Sequence, residues 1–432
     1  MKVEVYVNMH NRVKETFISY QKNSLHSLKN LLKWLLMGSV VGVLVGLVSA
    51  AFAHVLAFVN QFRDDHPIVV LGLPLGGLLI VFLYHISRNT ADRGTNTVIS
   101  SVHSSSDIPF RMTPLIFIST AITHLFGGSA GREGAAIQLG GSMCNYLGKV
   151  MELNQNERRV VIMCGMSAGF SALFGTPMAA AVFSLEVISI GIMHYSALVP
   201  CVMASLVSHF VANLLQVPPE HFPVLDVPAM DPLGLVRILV LAAAAGVISM
   251  VFCLAMHKTA ALYKTYLKNP YLRVFVGGCL IILLSLVLQS GEYLGSGMKI
   301  IERIFHEGEA NPWSFLLKIL FTALTLGAGF KGGEIVPSFT VGAALGCLLA
   351  IPLDIPVSLA AACGMIGVFC GATNCPITSL LISFELFGFA GMPYYLVTAA
   401  VSFMISGRFG LYQAQRLMYS KTETRYINDC AR

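Results

Sequence analysis

Two stretches of this chain align without a gap: CGMSAGFSALFGTPMAAAVFSLE (Cys164–Glu186) and CGMIGVFCGATNCPITSLLISFE (Cys363–Glu385). Both begin on Cys-Gly-Met, pair Phe170 with Phe369 and Pro177 with Pro376, and end on Glu186 and Glu385, at an offset of 199 residues. Upstream of each lies a glycine-rich stretch with one glutamate, Glu133 in GGSAGREGAAIQLGG and Glu334 in GAGFKGGEIVPSFTVGAALG, offset by 201 residues. A chain repeated in this way folds as two like halves. Broken apolar segments in matched positions of two halves are what inverted-repeat transporters show, with the substrate site at the bilayer midplane between them.

Only 12% of the 432 residues are charged and 55% are hydrophobic. A soluble domain carries roughly 25% charged residues, so the solvent for this chain is lipid. The runs Leu35–Phe58, Ile68–Leu83, Ile238–Met256 and Val274–Leu288 approach or reach the roughly 20 residues that span a bilayer. The fold class expected is all-α and polytopic. Met112–Phe126, Ala135–Leu147, Phe339–Leu349 and Val357–Phe369 are shorter, and read as half-helices that end inside the protein.

Basic residues set the orientation. Lys22, Lys29 and Lys33 precede the first run, and Arg408, Arg416, Lys421, Arg425 and Arg432 follow the last. Both termini are therefore expected in the cytoplasm, as is the loop Lys258–Arg273. Val217–Gly234 carries Glu220, Asp226 and Asp231 without Lys or Arg, and is expected outside. The chain divides into a cytoplasmic segment 1–34, a transport domain 35–412 with halves of about 35–215 and 233–412, and a tail 413–432. The net charge of +6 fits this membrane topology and gives no reason to expect nucleic acid as a partner. Met1–Asn30 has no short apolar core and cleavage site, so no signal peptide is expected. The ten cysteines lack ligand spacing, so no metal, cofactor or disulfide framework is expected.

Glycine-rich turns entering short helices let backbone N–H groups converge at the positive end of a helix, which holds an anion without a buried cation. Gly131-Arg132-Glu133-Gly134 and Gly329–Glu334 have this form, and Gly94-Thr95-Asn96 adds polar side chains at a third turn. An ionisable carboxyl at membrane depth is costly and marks a functional path. A carboxylate that occupies the anion's place when ionised and leaves it when protonated links proton to anion movement.

GREG at Gly131–Gly134, GGEIVPSF at Gly332–Phe339, PMAAAVFSLEV and the terminal FGLY at Phe409–Tyr412 resemble the motifs of the CLC family of anion channels and anion/proton antiporters, from about Leu35 to Tyr412. The resemblance implies a homodimer in the bilayer, each subunit with its own pore built from two inverted halves. Chloride transporters read GSGIP at the first anion turn, where this chain has Gly94-Thr95-Asn96-Thr97-Val98. They read GGIFAP at the second, where it has Gly332-Gly333-Glu334-Ile335-Val336-Pro337. A glutamate there, with THLFGGSAGREG, GFKGGE and GATN, is similar to the fluoride/proton antiporter branch. By that resemblance Glu133 is the external gating glutamate and Glu334 a second proton carrier or gate. Thr95, Asn96, Glu334, Ile335 and Tyr412 surround the anion, and Gly131, Arg132, Gly134, Gly332, Gly333 and Pro337 form the motif frame. Val187 stands where chloride/proton exchangers carry an internal glutamate, and Thr95 and Val336 stand where the branch is expected to carry methionine and threonine. The function implied is export of fluoride in exchange for protons across the bacterial inner membrane.

Plainer roles stay open to several of these residues. Glu133 can pair with Arg132, Glu334 with Lys331, Thr95 can cap a helix, and Tyr412 can sit in an interfacial belt. Glu186 and Glu385 read as structural, bonding backbone at matching places in the two halves. A chloride/proton exchanger or chloride channel is the other reading within the family. Gly127–Gly131 also fits GxSxG, the nucleophile elbow of serine hydrolases, although no strand precedes it.

Overall fold

The computed structural model describes residues 2–89, 94–104, 107–224 and 226–431, with the backbone alone for 2–23 and 26. The Lys22 side chain and Arg432, counted above among the basic terminal residues, lie outside the described set. Among the described residues, five helical spans are long and apolar enough to cross a membrane: Ser27–Asp65, Pro67–Ile86, Tyr195–Leu214, Pro232–Tyr266 and Pro270–Val287.

The described residues form sixteen α-helices in two series of eight. The first is α1 (Lys2–Asp65), α2 (Leu73–Ile86), α3 (Thr95–Ser104), α4 (Met112–Leu125), α5 (Glu133–Val150), α6 (Gln155–Phe174), α7 (Pro177–Glu186) and α8 (Leu198–Leu214). The second is α9 (Pro232–Tyr266), α10 (Pro270–Val287), α11 (Met298–Glu307), α12 (Ser314–Ala328), α13 (Ile335–Ala350), α14 (Val357–Thr373), α15 (Pro376–Phe387) and α16 (Met392–Ile405). Packing partners repeat as well: α5 lies on α6 as α13 lies on α14, and α1 packs on α8 and α6 as α9 packs on α16 and α14. The short segments expected from composition are α4, α5, α13 and α14, all between fourteen and eighteen residues.

Small residues set the closest crossings. A Cβ at Gly140 would strike the backbone of Gly165, and one at Gly364 would strike that of Gly342. The first pair joins α5 to α6 and the second joins α13 to α14, so each half contains the same close helix approach. Without a hydrophobic driving force in lipid, such approaches supply the dispersion contact that holds helices together.

Glu186 and Glu385 show how the halves are related. Glu186, ending α7, accepts hydrogen bonds from Ile377 N (3.1 Å) and Thr378 N (2.8 Å) at the start of α15. Glu385, near the end of α15, accepts from Met178 N (2.8 Å) and Ala179 N (2.9 Å) at the start of α7. Each carboxylate caps the helix of the opposite half, so α7 and α15 run antiparallel. Pro177 and Pro376 occupy the first helical positions, where an N–H would otherwise have no partner.

Both ends of the chain are more structured than their composition suggests. The charged N-terminal segment, without apolar periodicity, continues as helix into the first apolar run as one 64-residue element. After Tyr412 the tail forms a hairpin, β2 (Arg416–Tyr419) with β3 (Tyr426–Cys430), and β2 pairs in parallel with β1 (Ser189–Ile190) just beyond α7. Between the strands, Lys421 reaches inward: its Nζ donates to Ser406 Oγ at 2.7 Å and to Asn374 Oδ1, and lies 4.4 Å from the Phe403 ring centre. Ser406 and Asn374 are the C-caps of α16 and α14, so this ammonium sits at two negative helix ends.

Candidate functional site

The two glycine-rich motifs meet. Gly131 N donates to Gly333 O and Gly333 N to Gly131 O, both at 2.7 Å, an antiparallel bridge between the halves. Side chains would prevent it. A Cβ at Gly333 would lie 2.5 Å from Gly134 N and 3.0 Å from Gly134 Cα, and one at Gly332 would lie 2.5 Å from Ala130 Cβ. Pro337 closes the other side, its Cδ 3.0 Å from where a Gly131 Cβ would stand. From this crossing α5 begins at Glu133 and α13 at Ile335, with Glu334 as the N-cap of α13. Two helix N-termini with their unsatisfied N–H groups thus start from one point, the arrangement expected of an anion site.

Glu133 is fully buried. Its Oε2 accepts from Arg132 N at 3.2 Å, and its Oε1 lies 3.4 Å from Arg132 Nε. The Arg132 pairing is present but long, and the guanidinium has a nearer carboxylate: Nη2 donates to Glu220 Oε1 at 2.6 Å, and also to Leu173 O at 3.3 Å. Glu334 is half-buried, and its Oε2 is enclosed with no hydrogen-bond partner among the described residues. The Lys331 ammonium stands 4.2 Å over the ring of Tyr84.

Among the described residues, the polar groups here without a hydrogen-bond partner include Glu334 Oε2, Thr95 Oγ1 and the Tyr412 hydroxyl. Thr95 Oγ1 and Glu334 Oε2 both lie within 3.5 Å of the position a Gly134 Cβ would take. Tyr412 is buried and within electrostatic reach of both Glu334 and Glu133. Thr95 starts α3 yet its hydroxyl caps nothing, and Tyr412 is not on an exposed belt. Buried polar atoms are nearly always paired, so unpaired ones gathered near one crossing make it the candidate place for a polar ligand. Asn96 has a different setting: its Oδ1 accepts from Ala414 N at 2.9 Å and holds the Tyr412 turn against α3. Ile335 and Val336 are buried in the first turn of α13. Val187 is buried against the end of α7.

Glu334 and Asn96 also line a cavity of about 880 Å³, together with Lys331, Lys264, Lys268 and Arg273. Lys264 and Lys268 are exposed, so the cavity reaches the surface on the basic side. Arg132 leads instead to Glu220 in the acidic connection between α8 and α9. The two glutamates therefore have different surroundings, Glu334 on the cavity and Glu133 on the Arg132–Glu220 pair.

Sequence reasoning missed Lys318. It is fully buried in α12 and donates to Gly295 O (2.8 Å), Ser129 Oγ (3.0 Å) and Tyr293 O (3.2 Å). It ties the Gly127–Gly131 loop to the loop before α11. A single lysine in SFLLKILFTALTLGA was the available signal, since an intramembrane charge is rarely idle. The GxSxG match falls in this loop. It follows helix α4 rather than a strand, and Ser129 is fully buried, so the elbow geometry is not present.

The profile of the family described as voltage gated chloride channel matches residues 75–407. A chloride/fluoride channel protein of Pseudomonas syringae pv. tomato is 38% identical over 396 residues, covering 90% of this chain and 87% of that one. An H(+)/Cl(-) exchange transporter of Vibrio cholerae is 24% identical, over 82% of this chain and 81% of its own. Among solved structures, a CLC-type fluoride/proton antiporter superposes with TM-score 0.87 at 33% identity, covering 89% of this chain and 98% of that one. A slow cyanobacterial Cl-/H+ antiporter superposes with TM-score 0.73 at 20% identity, over 86% and 94% of the two chains.

Proposed function

The chain belongs to the CLC family of anion channels and transporters, and on that premise we propose that it exports fluoride in exchange for protons. The observation that carries the reading is Glu334: a second carboxyl at the crossing, with one enclosed oxygen that, like the Thr95 hydroxyl beside it, has no partner among the described residues. Fluoride is small and strongly hydrated, so its site must offer strong donors in place of water. A protonated carboxyl and the hydroxyls of Thr95 and Tyr412 are such donors, whereas a chloride site can rest on more diffuse backbone contact. The relative from Pseudomonas syringae is named for both anions, and the structural neighbour at 33% identity for fluoride and protons, which supports the same reading.

In this account Glu133 is the gate on the side of the acidic connection. Ionised, it takes the anion's place at the start of α5; protonated, it withdraws and fluoride passes. Glu334 works at the head of the basic cavity, where Lys264, Lys268 and Arg273 concentrate anions. Val187, in place of an internal glutamate, leaves Glu334 as the carboxyl for proton exchange with that cavity. The protein works as a homodimer in the bacterial inner membrane with both termini in the cytoplasm. A chloride/proton exchanger is the other reading, carried by the similarity to the Vibrio cholerae transporter.

Vesicles containing the purified protein and loaded with fluoride or chloride separate these readings. Fluoride release is expected to exceed chloride release by at least tenfold. Glu334→Gln should lower fluoride transport about tenfold or more and narrow that ratio. Equal or faster chloride release by the unmodified protein would assign it to chloride exchange.

A further inference from the structure

Arg132 is shared by two carboxylates, and unequally. Its contact with Glu220 at 2.6 Å is a short charge-assisted hydrogen bond, whereas the 3.4 Å approach to Glu133 lies at the limit of one. Glu220 comes from the connection between the two halves, 87 residues from Glu133 in sequence. That connection is seated firmly. Phe222 N donates to Leu386 O at 2.9 Å, and Pro219 packs on Gly175, whose φ of +76° ends α6; a Cβ there would lie 2.6 Å from Pro219 Cβ. The side chains of Glu220 and Arg132 are 18% and 21% exposed, and that of Glu133 is 0%. The three charges thus lead from the surface to the buried gate.

We propose that Glu220 is a positioning residue for the Glu133 gate, holding Arg132 outward so that the Glu133 carboxylate is left weakly paired and free to take a proton and leave the crossing. The proposal rests on Glu133 being the gate. With Glu220 neutral, Arg132 would turn both sides of its fork to Glu133, stabilise its ionised form and hold the gate shut. The other charged group facing Glu220 is Glu302 on α11, and the charges facing Glu133 are Arg132 and Glu220. Burial raises the Glu220 carboxyl above the usual range, with Arg132 pulling it back, so its charge depends on its hold on that arginine.

The test is the rate of anion efflux from vesicles as a function of pH on the Glu220 side. Glu220→Gln is expected to be about tenfold slower than the unmodified protein near neutral pH and to converge with it at acid pH, where Glu133 is protonated in both. Glu220→Asp, which keeps the charge, should restore most of the neutral-pH rate. A Glu220→Gln rate lowered by one factor at every pH, or unchanged throughout, would overturn the proposal. Should Glu220→Gln fail to fold in detergent, Glu220→Asp decides instead, through an intermediate shift toward acid caused by its shorter reach. The shift is read with whichever anion the unmodified protein carries, so a failed fluoride assignment and a failed role for Glu220 give different results.

Discussion

Glu133→Gln is expected to remove proton movement from anion movement entirely while leaving the protein folded. The amide has the shape of the carboxyl, can still accept from Arg132 N, and fits the same glycine-lined crossing. It cannot take up or release a proton near neutral pH. Losing a positioned proton-transfer group typically costs about 10² to 10⁴ in rate, so coupled proton flux should fall below detection while any anion flux that remains runs passively. A pH indicator inside the vesicles, read beside an anion electrode outside, checks both. Proton uptake that still follows anion release in this variant would remove Glu133 from the coupling.

The second large effect concerns stability. Glu186→Ala leaves Ile377 N, Thr378 N and the Thr378 hydroxyl, which donates at 2.6 Å, without their acceptor in a buried site. Hydrogen bonds to a charged group contribute about 1.5–3 kcal/mol each, and a stranded buried N–H costs a similar amount, so a loss of roughly 3 kcal/mol or more is expected. Glu385→Ala strips the start of α7 in the same way, with a somewhat smaller effect because its site is less buried. The two sites lie in one interface between the halves, so the double variant should depart from additivity. Thermal unfolding in detergent should show Tm lowered by several degrees for Glu186→Ala, with partial recovery in Glu186→Gln. An unchanged Tm would mean the reciprocal caps contribute nothing.

Much of the architecture could be read from the chain because its physics is local. The repeat stood in Pro177/Pro376 and Glu186/Glu385, and the broken helices in apolar runs too short for a bilayer. Glu133 and Glu334 stood out because a carboxyl in an apolar glycine-rich stretch is expensive. The meeting of their two loops was not legible: the Gly131–Gly333 bridge joins residues 202 positions apart and depends on missing side chains. Glu220 was hidden for the opposite reason. An acid in a polar connection is ordinary, and only the fold brings it to Arg132. Asn96 stood out as an anion ligand by its place after Thr95; only the fold shows that its Oδ1 also holds Ala414 while the residue lines the cavity with Glu334. The tail looked like simple basic sequence, and Lys421 matters because two helix C-termini happen to end where it arrives.

The most direct test of the account is to drive fluoride with protons alone. Vesicles containing the protein, with equal fluoride on both sides and the voltage clamped to zero, are given a pH gradient. Fluoride is expected to move uphill out of the more alkaline compartment into the more acidic one, against protons moving the other way, and Glu133→Gln vesicles should show no net movement. Fluoride that stays at equilibrium under a pH gradient, while still flowing down its own gradient, would contradict proton exchange and make the protein a channel.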